Sequence, residues 1–219
     1  MNKIMETDKK IQEDVMYELE WDPEVDSTDI GVAVEEGIVT LSGQVDSYWT
    51  KKSAENAAKR VKGVKGVAQD IIVEYTGMER TDKDIAEAAV YSVKYNTTIP
   101  TDAVKVKVEN GWVVLEGEVN WNFQKNAAEN AVEKIKGVEG VTNLITVKPR
   151  VQASIVKSTI KRALERRADV EAEQIEVETE NNKVILRGKV KTWSERAEVQ
   201  RAAWSAPGVT NVENHLVIA

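Results

Sequence analysis

The chain of 219 residues has no cysteine, one histidine, four prolines and a single phenylalanine. Without cysteine there is no disulfide framework and no thiolate metal site. The lone histidine, His215, has no second imidazole or thiol in the chain to converge with, and both metal binding and acid–base work need converging groups. His215 therefore reads as a surface residue on an outward strand position. No run of roughly 18 apolar residues exists, so no segment is written as a membrane-spanning helix. Met1 to Gln12 is charged almost from the outset and holds no apolar stretch of signal-peptide length. On these grounds the chain reads as soluble and cytoplasmic, or periplasmic if an export signal once preceded it. No nucleophile–base or metal constellation is visible, so an enzyme is not expected, and no cofactor is expected either.

Basic residues are also scarce where a nucleic-acid footprint would need them. The net charge is −7, and residues 1–80 alone hold 10 Lys+Arg against 17 Asp+Glu. Residues 81–153 are near neutral at 9 against 10, and residues 154–219 reach 11 against 10. Nucleic acid is thus excluded as a general partner. An anionic surface would be met by the last third of the chain.

What is abundant is repetition. Gly37-Ile-Val-Thr-Leu-Ser-Gly-Gln-Val45 returns as Gly111-Trp-Val-Val-Leu-Glu-Gly-Glu-Val119, then as Asn182-Lys-Val-Ile-Leu-Arg-Gly-Lys-Val190. The shifts are 74 residues (37 to 111) and 71 residues (111 to 182). A repeat sets the domain organisation before any motif does.

Each copy opens with a helical stripe at spacing four: Ile11, Val15 and Leu19; Ile85, Ala89 and Val93; Val156, Ile160 and Leu164. Asp8, Asp82 and Ser154 stand where N-caps are expected. A strand of period two follows (Ile30, Val32, Val34; Val104, Val106, Val108; Ile175, Val177, Thr179). The turns Glu36-Gly37, Asn110-Gly111 and Asn181-Asn182 suit a type I′ hairpin. On the second strand, Gly43, Gly117 and Gly188 imply either close approach of a helix backbone or a bulge.

The second helix has a small buried face: Ala54, Ala57, Ala58 and Val61; Ala128, Ala131 and Ile135; Val199, Ala202 and Ala206. Thr192 and Glu195 form a capping-box pattern. Gly63, Gly137 and Gly208 stop these helices, and Gly66, Gly140 and Asn211 are residue types that accept positive φ. A last strand closes each copy. The reading is α+β: three tandem αββαβ two-layer sandwiches, each a three-stranded mixed sheet with two helices on one face. The expected domains are 1–76, 81–149 and 152–219.

The αββαβ order resembles the BON domain, named for bacterial osmotically inducible and nodulation proteins. So do the phrase Gly-x-Val-x-Leu-x-Gly-x-Val and the later phrase Lys62-Gly-Val-Lys-Gly-Val67. The resemblance covers residues 8–74, 82–148 and 153–219. It implies a non-enzymatic protein connected with osmotic stress, with phospholipid membranes, or with outer-membrane and secretion-linked assemblies. In some relatives it implies potassium binding. It transfers no catalytic or binding residue.

Several residues are candidates for contact with a phospholipid surface or another protein. Trp49, Trp121 and Trp193 fall where the second strand hands over to the second helix, fitting either a lipid interface or packing between elements. The first helix of the third copy is basic, with Lys161, Arg162 and Arg166 among five cations, suited to an anionic membrane or to plain solvation. Alternation turns Trp112, Val114 and Leu144 to the uncovered side of the second sheet, where apolar residues imply a neighbouring unit or chain. The Asp22–Asp29 run has the acidic density for weak cation binding or for a solvated loop, but not the spacing of a calcium loop.

Overall fold

The computed structural model describes residues 2–75, 80–148, 160, 162–163, 174–180, 182–206 and 209–218. The first copy runs α1 (Asn2–Trp21), β1 (Ile30–Glu35), β2 (Ile38–Val45), α2 (Tyr48–Arg60) and β3 (Gly66–Val73). The second repeats it as α3 (Asp82–Lys94), β4 (Val104–Glu109), β5 (Trp112–Val119), α4 (Asn122–Glu133), β6 (Gly140–Asn143) and the short β7 (Thr146–Val147). The third shows β8 (Ile175–Glu180), β9 (Lys183–Val190), α5 (Trp193–Trp204) and β10 (Asn211–Ile218). Ile160, Arg162 and Ala163 are helical. Residues 1–119 and 124–146 form one compact unit, so the first two domains are described together and the third by itself.

Each sheet is mixed. The hairpin strands pair antiparallel and the last strand joins the central one in parallel, giving the orders β1-β2-β3, β4-β5-β6 and β10-β9-β8. The turn residues do what a type I′ turn requires. Glu36 and Gly37 have φ of 51° and 81°, and Asn110 and Gly111 have φ of 49° and 74°. Helices cover one face. Val15, Leu19, Val39, Leu41, Ala54 and Ala57 are buried in the first domain, and Ile85, Ala89, Val113, Leu115 and Ala128 in the second. In the third, Ile160, Val177, Leu186, Val199 and Ala203 share one core. Each fully buried Leu or Ile contributes about 1.5–3 kcal/mol, so a handful outweighs any single cap.

Four expectations are corrected. Asp8 and Asp82 are not N-caps. Asp8 lies inside α1, and Thr81 caps α3 in a reciprocal box with Asp84. The two aspartates instead accept backbone amides at the tips of the hairpins. Gly43, Gly117 and Gly188 do not admit a helix. A Cβ at each would stand 1.9, 2.0 and 2.1 Å from the carbonyl oxygens of Asp29, Ala103 and Gln174, the residues entering the facing strand. Gly66, Gly140 and Asn211 are extended first residues of strands rather than left-handed ones. Gly140 is small because the Trp112 ring lies on it, 2.5 Å from where a Cβ would be. On α4 the buried positions are Ala128, Val132 and Glu133, while Ala131 and, just past the helix, Ile135 are only half-buried. The Thr192 cap holds, and Glu195 reaches back to the Lys191 amide at 2.6 Å.

Candidate interaction surfaces

Three kinds of surface carry chemistry, beginning with the tie that fixes the outer face of the first helix. The Asp8 carboxylate accepts the amides of Glu36 and Gly37 at 2.8 and 3.0 Å. These ties span 28 and 29 residues of chain, so they pin the helix to the hairpin tip. With Ile11, Val15 and Leu19 turned inward, the helical period puts Met16, Tyr17 and Trp21 outward. Tyr17 is 69% exposed and Trp21 88%. In the second domain Ile85, Ala89 and Val93 turn inward, and Val90, Tyr91 and Tyr95 are exposed. The Tyr91 and Tyr95 rings stack with centroids 4.3 Å apart, and the Lys94 ammonium sits 6.0 Å from the Tyr95 ring.

These outward positions are equivalent. Shifting Met16, Tyr17 and Trp21 by 74 gives Val90, Tyr91 and Tyr95, and a further 71 gives Lys161, Arg162 and Arg166. The same i, i+4 face is therefore aromatic twice and cationic once. Arg162 is helical and exposed, while Lys161 and Arg166 lie outside the described residues. The aromatic pairs were not among the sequence candidates. Applying the repeat shift to the outward positions, and not only to the buried stripe, would have found them.

The strand-to-helix tryptophans behave differently. Trp49 is half-buried, and the ammonium of Lys134, in the turn just past α4, lies 3.9 Å from its ring centre. That same lysine pairs with Glu24 at 3.6 Å. Trp49 is thus occupied where the first two domains meet. Trp193 is half-buried with the Arg196 guanidinium 5.2 Å from its ring, and Trp121 is half-buried.

The open sheet face of the second domain is as the alternation implied. Trp112 is 50% exposed, Leu144 is exposed and Val114 is half-buried. The Trp112 indole N–H donates to the Thr142 hydroxyl at 2.8 Å, which steadies the ring across the sheet. Ile38 and Ile72 are exposed on the first sheet and Val217 on the third.

The acidic run from Asp22 is structured rather than loose. Asp22 and Glu18 hold Arg60 at 2.7 and 2.6 Å, and Asp26 caps the turn 27–29. The Thr28 hydroxyl and amide, both donating to Asp26, hold its carboxyl below the usual range. His215 is exposed, 3.7 Å from Glu213. Among the described residues, no three His, Asp or Glu side chains cluster as a metal site would require, and no helix is long and apolar enough to cross a membrane.

The first two domains also share a charged contact. Lys52 of α2 reaches Glu129 at 3.1 Å and also pairs with Glu133, both on α4. The Tyr75 hydroxyl donates to the Val138 carbonyl.

Comparison with known proteins agrees with this architecture. The family model for the BON domain matches residues 7–75, 81–149 and 152–219. The osmotically-inducible protein Y of Escherichia coli (strain K12) is 31% identical over 133 residues, which take in 57% of this chain and 64% of that protein. The chain thus spans a little under two thirds of that relative. Among solved structures, CdsD, a structural protein of the type III secretion system of Chlamydia trachomatis, is 15% identical with a TM-score of 0.26, covering 96% of this chain and 92% of its own. Its C-terminal domain alone gives 14% and 0.25, with 94% and 96% covered. At those TM-scores the likeness carries no weight.

Proposed function

This chain belongs to the BON domain family, and from that premise we propose that it is a non-catalytic binding protein of the osmotic or envelope stress type that associates with phospholipid membrane surfaces. The observation that carries the reading is the outward face of the first helix. Tyr17 and Trp21, then Tyr91 and Tyr95, stand exposed on a helix whose other side is fully committed to the core. Tyr and Trp are the side chains favoured at a bilayer interface, with an apolar body and a polar tip. The equivalent third-domain positions, Arg162 and Arg166, suit anionic headgroups. The osmotic inducibility in the name of the Escherichia coli relative supports the stress context.

Co-sedimentation of the purified chain with anionic and neutral vesicles, at low and physiological salt, tests this. Binding should favour anionic vesicles and weaken with salt. Arg162→Ala should cost about 1 kcal/mol, or roughly fivefold in affinity. The double variant Tyr17→Ala, Trp21→Ala should weaken binding at both salt concentrations. A chain that stays in the supernatant under every condition defeats the reading.

The exposed sheet residues Ile38, Ile72, Trp112 and Leu144 favour a second reading, a protein–protein adaptor. An adaptor would form complexes insensitive to the helix-face changes and sensitive to Leu144→Asp.

A further inference from the structure

The contact between the first two domains holds an unbalanced charge. Glu133 is only 1% exposed although it is a carboxylate, and Lys52 meets its Oε1. Its Oε2 has no hydrogen-bond partner among the described residues. Glu129 stands one turn earlier on α4, 3.1 Å from the same ammonium. Two carboxylates and one lysine leave a net charge of −1, and burying such a charge is costly.

The charge on Glu129 is not required by its own domain. Asn143 donates to Glu129 Oε2 at 3.0 Å, and the equivalent Asn214 donates to Gln200 Oε1 at 2.9 Å. A neutral amide thus does the same structural work in the third domain. Glu133 corresponds to Trp204 there. The carboxylate pair belongs to the contact with Lys52.

We propose that Lys52, Glu129 and Glu133 form a proton-operated clamp between the first two domains, closed while one proton sits on the carboxylate pair and loosened when that proton leaves to solvent. The orphaned Oε2 of Glu133 is where the proton resides. Burial, reinforced by Glu129, pushes the Glu133 carboxyl up despite Lys52. Burial also works on Glu129, but Asn143 and Lys52 outweigh it and hold that group below its usual value. The other titratable groups facing the cluster are Tyr48 of α2, its phenol pushed up by burial, and Lys125 of α4, its ammonium pushed down by burial. Lys134 and Glu24 pair at the rim.

The sign follows from those directions. Glu133 is raised in the fold, so its share of stability is complete below the ordinary carboxylate value and is lost as pH rises through the folded value. Glu129 is lowered, so its share is complete above the ordinary value and is lost as pH falls through its folded value. The clamp is therefore tightest near the ordinary carboxylate range and slackens toward alkaline pH.

The absence of cysteine allows a clean test. Cysteines replacing the exposed Lys9 of α1 and Lys83 of α3 can carry spin labels, and pulsed electron resonance then gives the distance distribution between the two domains. In the otherwise unaltered chain, the narrow population at about pH 5 should broaden by about pH 8. Glu133→Gln and Glu129→Gln each leave Lys52 with one carboxylate, neutral without a proton, so both should keep the narrow population through that rise. A distribution that ignores pH in the unaltered chain, or that broadens equally in both variants, overturns the clamp.

Discussion

The Asp82 carboxylate accepts the backbone amide of Gly111 at 2.8 Å. It takes the amide of Asn110 at the same distance, so one side chain closes the turn whose two residues both have positive φ. The donors are backbone groups at a hairpin tip and the acceptor is charged, which makes these bonds stronger than neutral ones.

Asp82→Ala should therefore lower the stability of the second domain by about 1–2 kcal/mol, part of the charge-assisted value being lost to solvent screening at an exposed site. Asp82→Asn keeps an acceptor oxygen and should cost roughly half as much. Urea unfolding followed by circular dichroism reads both. An unchanged midpoint in the alanine variant would show that the turn holds itself without the aspartate.

Two glycines offer opposite outcomes. Gly117 has φ of 143° and a Cβ there would meet the Ala103 carbonyl oxygen at 2.0 Å, while Gly66 has nothing within 4 Å. Gly117→Ala should cost at least about 3 kcal/mol, through strain and through parting the β4–β5 hairpin. Gly66→Ala should stay within about 0.5 kcal/mol. Melting curves of the two variants, compared under one buffer, decide it. Equal losses would mean that the clash is relieved by a strand shift.

Tyr75 gives a pH-dependent case. Its phenol is pushed up to about 12, chiefly by burial and then by the Glu139 charge. A raised value means that its stabilising share is complete below the ordinary value of 10.0 and is lost as pH rises through about 12. Alkaline unfolding should accordingly show a phenolate absorbance step in that window. Tyr75→Phe should shrink the step, Tyr48 being raised as well, and, by deleting the bond to the Val138 carbonyl, cost about 1 kcal/mol at neutral pH.

Trp21 provides a spectroscopic report on the proposed membrane contact. At 88% exposed it should be readily quenched by acrylamide in solution. With anionic vesicles its emission should shift to the blue and quenching should fall, while the half-buried Trp49 and Trp193 change little. Trp21→Phe should abolish most of the shift. A shift that survives the substitution would move the contact elsewhere.

The sequence disclosed the repeating order of elements because buried positions recur with the periods of helix and strand. Val39, Leu41, Val113, Leu115, Val184 and Leu186 were legible in this way, and all are buried. Side chains that act across distance in the chain were not. Asp8 and Asp82 look like caps because caps and turn-binding aspartates share a residue type, and only the folded hairpin distinguishes them. Its position at the strand-to-helix junction left Trp49 open between a lipid interface and packing, and the Lys134 ammonium over its ring, from a residue 85 positions away, shows it packed. Glu133 carried no signal in the sequence, although it is 1% exposed. Its burial arises from the neighbouring domain, which no pattern within one repeat encodes. The aromatic pairs were missed for a simpler reason: periodicity arguments attend to the face that is hidden.

The outward pair on the first helix, written as Tyr17/Trp21, Tyr91/Tyr95 and Arg162/Arg166, has a consequence for how strongly the chain can hold a surface. None of the four described aromatics of that face is needed for the core, so each domain can change its coat at little cost to its fold. On the proposed membrane reading, contacts that are individually fleeting would act as an avid set when joined on one chain, because the first to land raises the local concentration of the others. Release would then require all to let go together, and removing one domain should weaken attachment by far more than its own share.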